Sequence, residues 1–268
     1  MEMKEYIDNF INHLKESVKI GEITSKQKDE KINNVIIFGL GGSGIGATII
    51  QNLFEPLARV PIVVSKDYKA PNFIDKNTLC IISSYSGNTE ETLHALKECE
   101  IKESMIHIVT SGGELNKISI EKKYHHVVIP GGHPPRAMFG YSFTQLFYVL
   151  YNYGIITDEF KKDFKRSIDL LSQEKHNIKV LAKKLANNLY QNTPVIYADQ
   201  SFEGVAVRFR QQINENSKML CWHHVIPEMN HNELLGWRTN TEKLAVVYLR
   251  NKLDFHKNGV NSVVKSAQ

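Results

Sequence analysis

Ser83, Ser84, Ser86 and Thr89 place four hydroxyls within seven positions. They follow the apolar run Leu79-Cys80-Ile81-Ile82, which reads as a strand. They precede Glu90-Glu91-Thr92, which reads as the start of a helix. Capping that helix takes one hydroxyl, so four exceed the need. Ser84, Ser86 and Thr89 can instead converge on one anion, with the N–H groups of the helix start facing it.

A glycine turn offers a second cradle: Gly39-Leu40-Gly41-Gly42-Ser43-Gly44-Ile45-Gly46, between the apolar run 35–38 and a helical stretch from Ala47. Glycines let ligand oxygens approach the backbone closely, and Ser43 adds a hydroxyl. Gly39, Gly41 and Gly44 also spell G-x-G-x-x-G, and Asp67 follows the next apolar run, where a ribose-binding acid would stand. Alone, the turn leaves a nucleotide site, a phosphate site and a plain tight turn open. The hydroxyl loop favours the phosphate site and leaves a nicotinamide enzyme using Gly39 to Gly44 as a weaker reading. A dinucleotide enzyme has no use for it, whereas a phosphomonoester held between both loops uses each.

Two later stretches carry ionisable groups. Pro130-Gly131-Gly132-His133-Pro134-Pro135-Arg136 is a loop whose last two residues open a helix. A cation is unfavourable at a helix N-terminus unless it has work there, and an arginine can steady a negative oxygen in a fixed fork. Glu215 lies near the end of a helix expected over about 203–217. Pro227 to Trp237 then packs Glu228, His231, Glu233 and Trp237 into one turn. Their spacing matches no zinc helix, so no metal is expected.

These groups need a frame. Val/Ile-rich runs at 35–38, 61–64, 79–83, 105–109 and 126–129 alternate with helical stretches near 45–55, 89–100 and 114–120. Fully apolar strands suit a parallel sheet covered on both faces, and the alternation predicts a doubly wound α/β architecture. Tyr6, Phe10, Ile11, Leu14 and Val18 repeat at helical spacing, as do Phe143, Leu146, Phe147 and Leu150 and then Phe160, Phe164, Ile168 and Leu171. A second α/β region opens at Pro194-Val195-Ile196-Tyr197-Ala198. The expected division is 1–152 and 153–268.

Bulk properties narrow the partners. The net charge is +4, from 33 basic and 29 acidic residues, and no basic run is interleaved with aromatics. Nucleic acid is therefore not expected. No apolar run is long enough to span a bilayer. Residues 1–8 are charged rather than apolar, unlike a secretory signal, and the three cysteines lie far apart. A cytoplasmic protein with reduced thiols is expected.

Gly41-Gly42-Ser43 together with 84–92 resembles the sugar isomerase (SIS) domain, a flavodoxin-like fold that binds phosphosugars. Pro-x4-Pro-Arg-Ala-x2-Gly-Tyr at 130–141, Asn214-Glu215-Asn216-Ser217-Lys218 and Asn230-His231-Asn232-Glu233-Leu234-Leu235-Gly236-Trp237 resemble the bifunctional phosphoglucose/phosphomannose isomerases within that superfamily. The resemblance runs from about residue 35 to residue 250. It implies two SIS domains with parallel sheets, the second incomplete at the C-terminus. It implies aldose–ketose isomerisation without cofactor or metal. Gly42, Ser43, Ser84, Ser86 and Thr89 would hold the phosphate. Glu215 would be the base between C1 and C2, and Arg136 the stabiliser of the enediolate. His231 would assist ring opening from the partner subunit of a homodimer. The resemblance also implies a ring-opening lysine beyond 244–249, and Lys265 sits in no comparable motif. A non-catalytic phosphosugar-binding protein is the alternative.

Overall fold

The computed structural model describes residues 2–250 apart from Gln27 and Asp29; Lys265 lies outside the described residues. The chain divides into two compact units, Met1–Glu174 and the remainder from Lys175.

In the first unit two helices, α1 (Met3–Asp8) and α2 (Phe10–Thr24), precede β1 (Asn34–Phe38) and α3 (Gly41–Phe54). Then come β2 (Ile62–Ser65), β3 (Thr78–Ser84), α4 (Glu90–Ile101), β4 (Met105–Thr110), α5 (Gly113–Glu121), β5 (His125–Val128) and α6 (Phe139–Asn152). All five strands are parallel, in the order β2-β1-β3-β4-β5. The order reverses between β1 and β3, which makes the crevice above that pair the switch point of the sheet.

Strand residues alternate between two cores, as the pleat requires. Val35, Ile37, Leu79, Ile81 and Val109 pack towards one face, with Leu14 and with Leu146, Phe147 and Leu150 of α6. Ile36, Phe38, Cys80, Ile82, Ile106 and Ile108 pack towards the other, with Ala95, Leu96 and Cys99 of α4 and Leu115 of α5. Being covered on both sides explains why the strands read as unbroken apolar runs. Helix α6 is buried almost all round, as a helix apolar on every face must be. Gly21 of α2 lets it approach α6: a Cβ there would lie 2.1 Å from the Tyr148 ring.

Helix α7 (Glu159–Leu189) carries the chain from the first unit into the second. Phe160, Phe164 and Ile168 form its buried stripe in the first core. In the second unit β6 (Thr193–Asp199), α8 (Glu203–Gln212), β7 (Trp222–Ile226) and β8 (Leu244–Leu249) follow. These three strands are also parallel, in the order β7-β6-β8. Here too β6 alternates: Ile196 and Ala198 face Ala206 of α8, while Val195 and Tyr197 face Ile226 and Met229. Cys80, Cys99 and Cys221 are free thiols, the first two buried. No helix among the described residues is long and apolar enough to cross a membrane.

Candidate active site

The hydroxyl loop leaves the C-terminal end of β3 at the switch point. Ser84, 2% exposed, is the last strand residue. Its Oγ lies 2.8 Å from Oγ1 of Thr89, which lies 3.5 Å from Oγ of Ser86. Three hydroxyls therefore form one cluster. Thr89 occupies the N-cap of α4 yet makes no side-chain cap bond. Its hydroxyl faces the cluster instead, and the first N–H groups of α4 have no intrahelical acceptor. Ser86 Oγ accepts from the N–H of Asn88 at 3.2 Å, so its own proton remains to be donated.

Positive φ at Gly87 (69°) lets the loop turn; a Cβ there would lie 1.9 Å from the Gly112 carbonyl oxygen. The segment after β4 braces the loop from outside. Ser111 donates from both N–H (3.0 Å) and Oγ (2.6 Å) to the Tyr85 carbonyl. Leu115 N–H donates to Gly87 O at 3.0 Å, and Glu114 N–H to Asn88 Oδ1 at 2.9 Å.

The glycine turn after β1 lies beside this loop, because β1 and β3 are neighbours. Helix α3 starts at Gly41, and Gly41 and Gly42 place the N–H groups of its first turn at the same crevice. Ser43 is 7% exposed, and its Oγ accepts from the Tyr85 N–H at 3.0 Å. It ties the two cradles together. Gly42 sits against the short 3-10 turn Pro135–Ala137: its Cβ would lie 3.3 Å from the Pro135 oxygen and 3.7 Å from Cα of Arg136. That backbone contact sets half-buried Arg136 next to the glycine turn. The loop before it is pinned by Tyr85, whose OH donates to Pro130 O at 3.0 Å and accepts from His133 N–H at 3.3 Å. Asp67 is engaged locally, its carboxylate accepting from Tyr68 N–H at 2.6 Å.

Gly42, Ser43, Ser84, Ser86, Thr89 and Arg136 thus gather at one sheet edge of the first unit. Glu215 and His231 belong to the second. Glu215 lies on a π-helical turn, Ile213–Ser217, that ends α8. Such turns recur at functional positions. Lys218 closes it in a left-handed conformation (φ 57°) and donates from Nζ to the Glu215 carbonyl at 2.6 Å. Arg208 is close enough that the Glu215 charge favours its protonated form, while burial pulls the Arg208 pKa down to about 10.

His231 is exposed, on a 3-10 turn, Glu228–His231, that follows β7. Glu215 precedes β7 and His231 follows it in the chain, and the five-residue strand between them spans about 16 Å at 3.3 Å per residue.

One group escaped the sequence reading. Tyr197 of β6 donates its OH to Glu233 Oε1 and accepts from Trp237 Nε1 at 2.8 Å. The other Glu233 oxygen lies 2.7 Å from His224 Nδ1. Burial, then the Glu233 carboxylate, pushes the Tyr197 phenol upward. This network braces the Glu233–Thr239 turn, which follows the one that carries His231. Tyr197 was hidden inside an apolar strand; the density of polar groups at 227–237 was the only signal. Glu228 Oε1 accepts from Asn232 Nδ2 at 2.7 Å, so Glu228 and Glu233 face different partners. Among the described residues no three His, Cys, Asp or Glu are grouped to hold a metal ion.

Residues 30–151 match the SIS domain, and residues 178–266 match the bacterial phospho-glucose isomerase C-terminal SIS domain. The bifunctional phosphoglucose/phosphomannose isomerase of Caldicellulosiruptor bescii is 35% identical over 96% of this chain and 79% of its own. The chain belongs to the bifunctional phosphoglucose/phosphomannose isomerase family. The isomerase family has a relative of different name at similar distance. The D-glucosamine-6-phosphate 4-epimerase of Sulfolobus acidocaldarius is 31% identical over 82% of this chain and 70% of its own. Among solved structures, the C-terminal domain of glucosamine-fructose-6-phosphate aminotransferase from Francisella tularensis superposes with a TM-score of 0.77. It is 13% identical over 99% of this chain and 80% of its own, a likeness of fold.

Proposed function

We propose that the protein interconverts glucose 6-phosphate or mannose 6-phosphate with fructose 6-phosphate. The carrying observation is Thr89, an N-cap residue whose hydroxyl joins Ser84 and Ser86 instead of capping α4. That cluster, with the first N–H groups of α3 and α4, suits the oxygens of a phosphomonoester. Binding the phosphate away from the reacting carbons supplies energy that orients them.

In this reading residues 1–152 form an N-terminal SIS domain that holds the phosphate, and 153–268 hold linking helices and a second SIS domain. Glu215 takes the proton from C2 of the open aldose and returns it to C1. Arg136 stabilises the enediolate oxygen that develops between those steps. His231 moves the ring oxygen's proton during opening. A homodimer supplies His231 from the partner, a reading supported by the strand's length between Glu215 and His231 within one chain. Such a symmetric pair gives two equivalent sites. The enzyme acts in the cytoplasm in this reading, which the free thiols of Cys80, Cys99 and Cys221 support.

A coupled assay tests the reading. Both aldose phosphates are offered and fructose 6-phosphate is detected, with glucosamine 6-phosphate as a separate substrate because of the Sulfolobus relative. Fructose 6-phosphate from either aldose supports it. Binding without turnover favours a non-catalytic phosphosugar-binding protein, and turnover of glucosamine 6-phosphate alone favours an epimerase.

A further inference from the structure

A cavity of about 250 Å³ opens at the feet of β4 and β5, at the sheet edge opposite the hydroxyl loop. Thr24, Lys26, Lys28, His107, His125, His126, Val127 and Asn152 line it. His107 lies three residues, about 10 Å, below the end of β4. The cavity belongs wholly to the first unit.

Its lining is mostly basic, with the Glu30 carboxylate near enough outside it to favour the charged form of His125. The charged residues on this lining are Lys26 and Lys28, with three imidazoles beside them. Lys28 Nζ stands 3.0 Å from Nε2 and 3.2 Å from Nδ1 of His125. An ammonium at that distance keeps a metal cation away from the ring. His107 pairs with His125 across the β4–β5 register, their ring centroids 6.2 Å apart. His107 is 5% exposed, and neither of its ring nitrogens has a hydrogen-bond partner among the described residues. A buried polar group left so carries its full desolvation cost.

The rim is held in place. Asn152, at the end of α6, accepts at Oδ1 from Ser25 Oγ (2.7 Å) and Lys26 N–H (3.2 Å). Its carbonyl accepts from Lys28 N–H at 2.7 Å. One buried residue therefore fixes the backbone of both lysines at the cavity mouth. Burial, then the neighbouring His125, Lys28 and His126, keeps His107 neutral, with its pKa near 3. Each neutral imidazole still has one N–H to donate.

We propose that this cavity is a second anion site, built for a phosphate dianion, either free or as the end group of a small metabolite. Two ammonium groups supply the counter-charge, and imidazole N–H groups supply directional bonds, including the partner that His107 lacks. The volume exceeds several waters at about 30 Å³ each, room enough for such an ion. An occupant would touch the end of α2, the end of α6 and two strands of the sheet at once.

The test uses the full chain carrying Ser86→Ala and Thr89→Ala, which weakens phosphate binding at the hydroxyl loop. Inorganic phosphate is titrated at constant ionic strength in chloride, followed by calorimetry and by the imidazole ring signals of His107 and His125. Saturable binding that moves both ring signals is expected, and adding Lys28→Gln should weaken it about tenfold or more. Lys28 is half-buried on a loop, so this change leaves the fold intact. Glycerol 3-phosphate, titrated the same way, separates the sources: tighter binding than phosphate identifies an esterified ligand, weaker binding the free ion. Ring signals that respond no more to phosphate than to chloride overturn the proposal, as does binding indifferent to Lys28→Gln.

Discussion

Ser43 Oγ accepts a hydrogen bond from the main-chain N–H of Tyr85 at 3.0 Å. One residue lies in the first turn of α3 and the other opens the hydroxyl loop, so this bond ties together two anion cradles that the β1–β3 pairing already sets side by side. Ser43 entered the sequence reading as a phosphate donor. Its oxygen is in fact committed to Tyr85, while its proton remains available. It is a latch as well as a candidate ligand.

Ser43→Ala removes the acceptor of a buried N–H. It should cost about 1–3 kcal/mol, lowering the melting temperature by roughly 2–4 °C for each kcal/mol in a unit of this size. KM for the phosphosugar should rise as well. Thermal melts and steady-state kinetics on one preparation check both, and an unchanged melt would rule out the latch.

Thr89→Ala should behave in the opposite way. Losing an N-cap side chain ordinarily costs about 1 kcal/mol, but Thr89 makes no cap bond. The melting temperature should stay close to wild type while KM rises about tenfold or more, the worth of a hydrogen bond to a charged group. A marked loss of stability with KM unaltered would return Thr89 to ordinary capping.

Glu215→Gln should stop exchange of solvent deuterium into C1 and C2 of the sugar while phosphosugar binding persists. His231→Ala should also be inactive. Mixed and allowed to exchange subunits, the two variants should regain a fraction of activity, because some mixed dimers hold one intact site. No recovery, with mixed dimers demonstrated, would place both residues in the same chain's site.

His107 sets a pH dependence of stability. Burial lowers its pKa from 6.5 to about 3. Between those values the unfolded chain binds a proton that the folded chain refuses. The contribution is fully present above pH 6.5 and is lost as pH falls towards 3, at no more than about 1.4 kcal/mol per pH unit. His107→Leu should flatten that part of the profile. Urea midpoints measured from about pH 7 to about pH 4.5 in a phosphate-free buffer report it; parallel profiles for the two proteins would refute it.

Much of the first unit was legible because buried parallel strands leave a plain signature. The run 35–38 became Asn34–Phe38, and 79–83 became Thr78–Ser84. The start of α3 was not legible. The helical stretch was expected near 45–55, yet the helix begins at Gly41. Glycine has little helical propensity, and here packing overrides it: a Cβ added at Gly46 would lie 3.6 Å from Phe143 and Leu146. The three hydroxyls of the site were visible as a surplus over capping. The partnership of Tyr197 with Glu233 and Trp237 was not, since its members are 36 and 40 positions from Tyr197 and only the sheet brings them together. His107 was equally silent, a histidine inside an apolar strand with no spacing to mark it.

The bonds from Ser111, Glu114 and Leu115 to the hydroxyl loop come from the main chain and one short side chain of its neighbour, not from a ligand. The loop's receiving shape is therefore held by the chain's own bonds, which lowers the ordering cost of capture. Differences among related ligands of one site fall mostly on how long each stays. Evolutionary drift at 111–115 would alter that residence time, although the segment stands behind the loop rather than in the crevice.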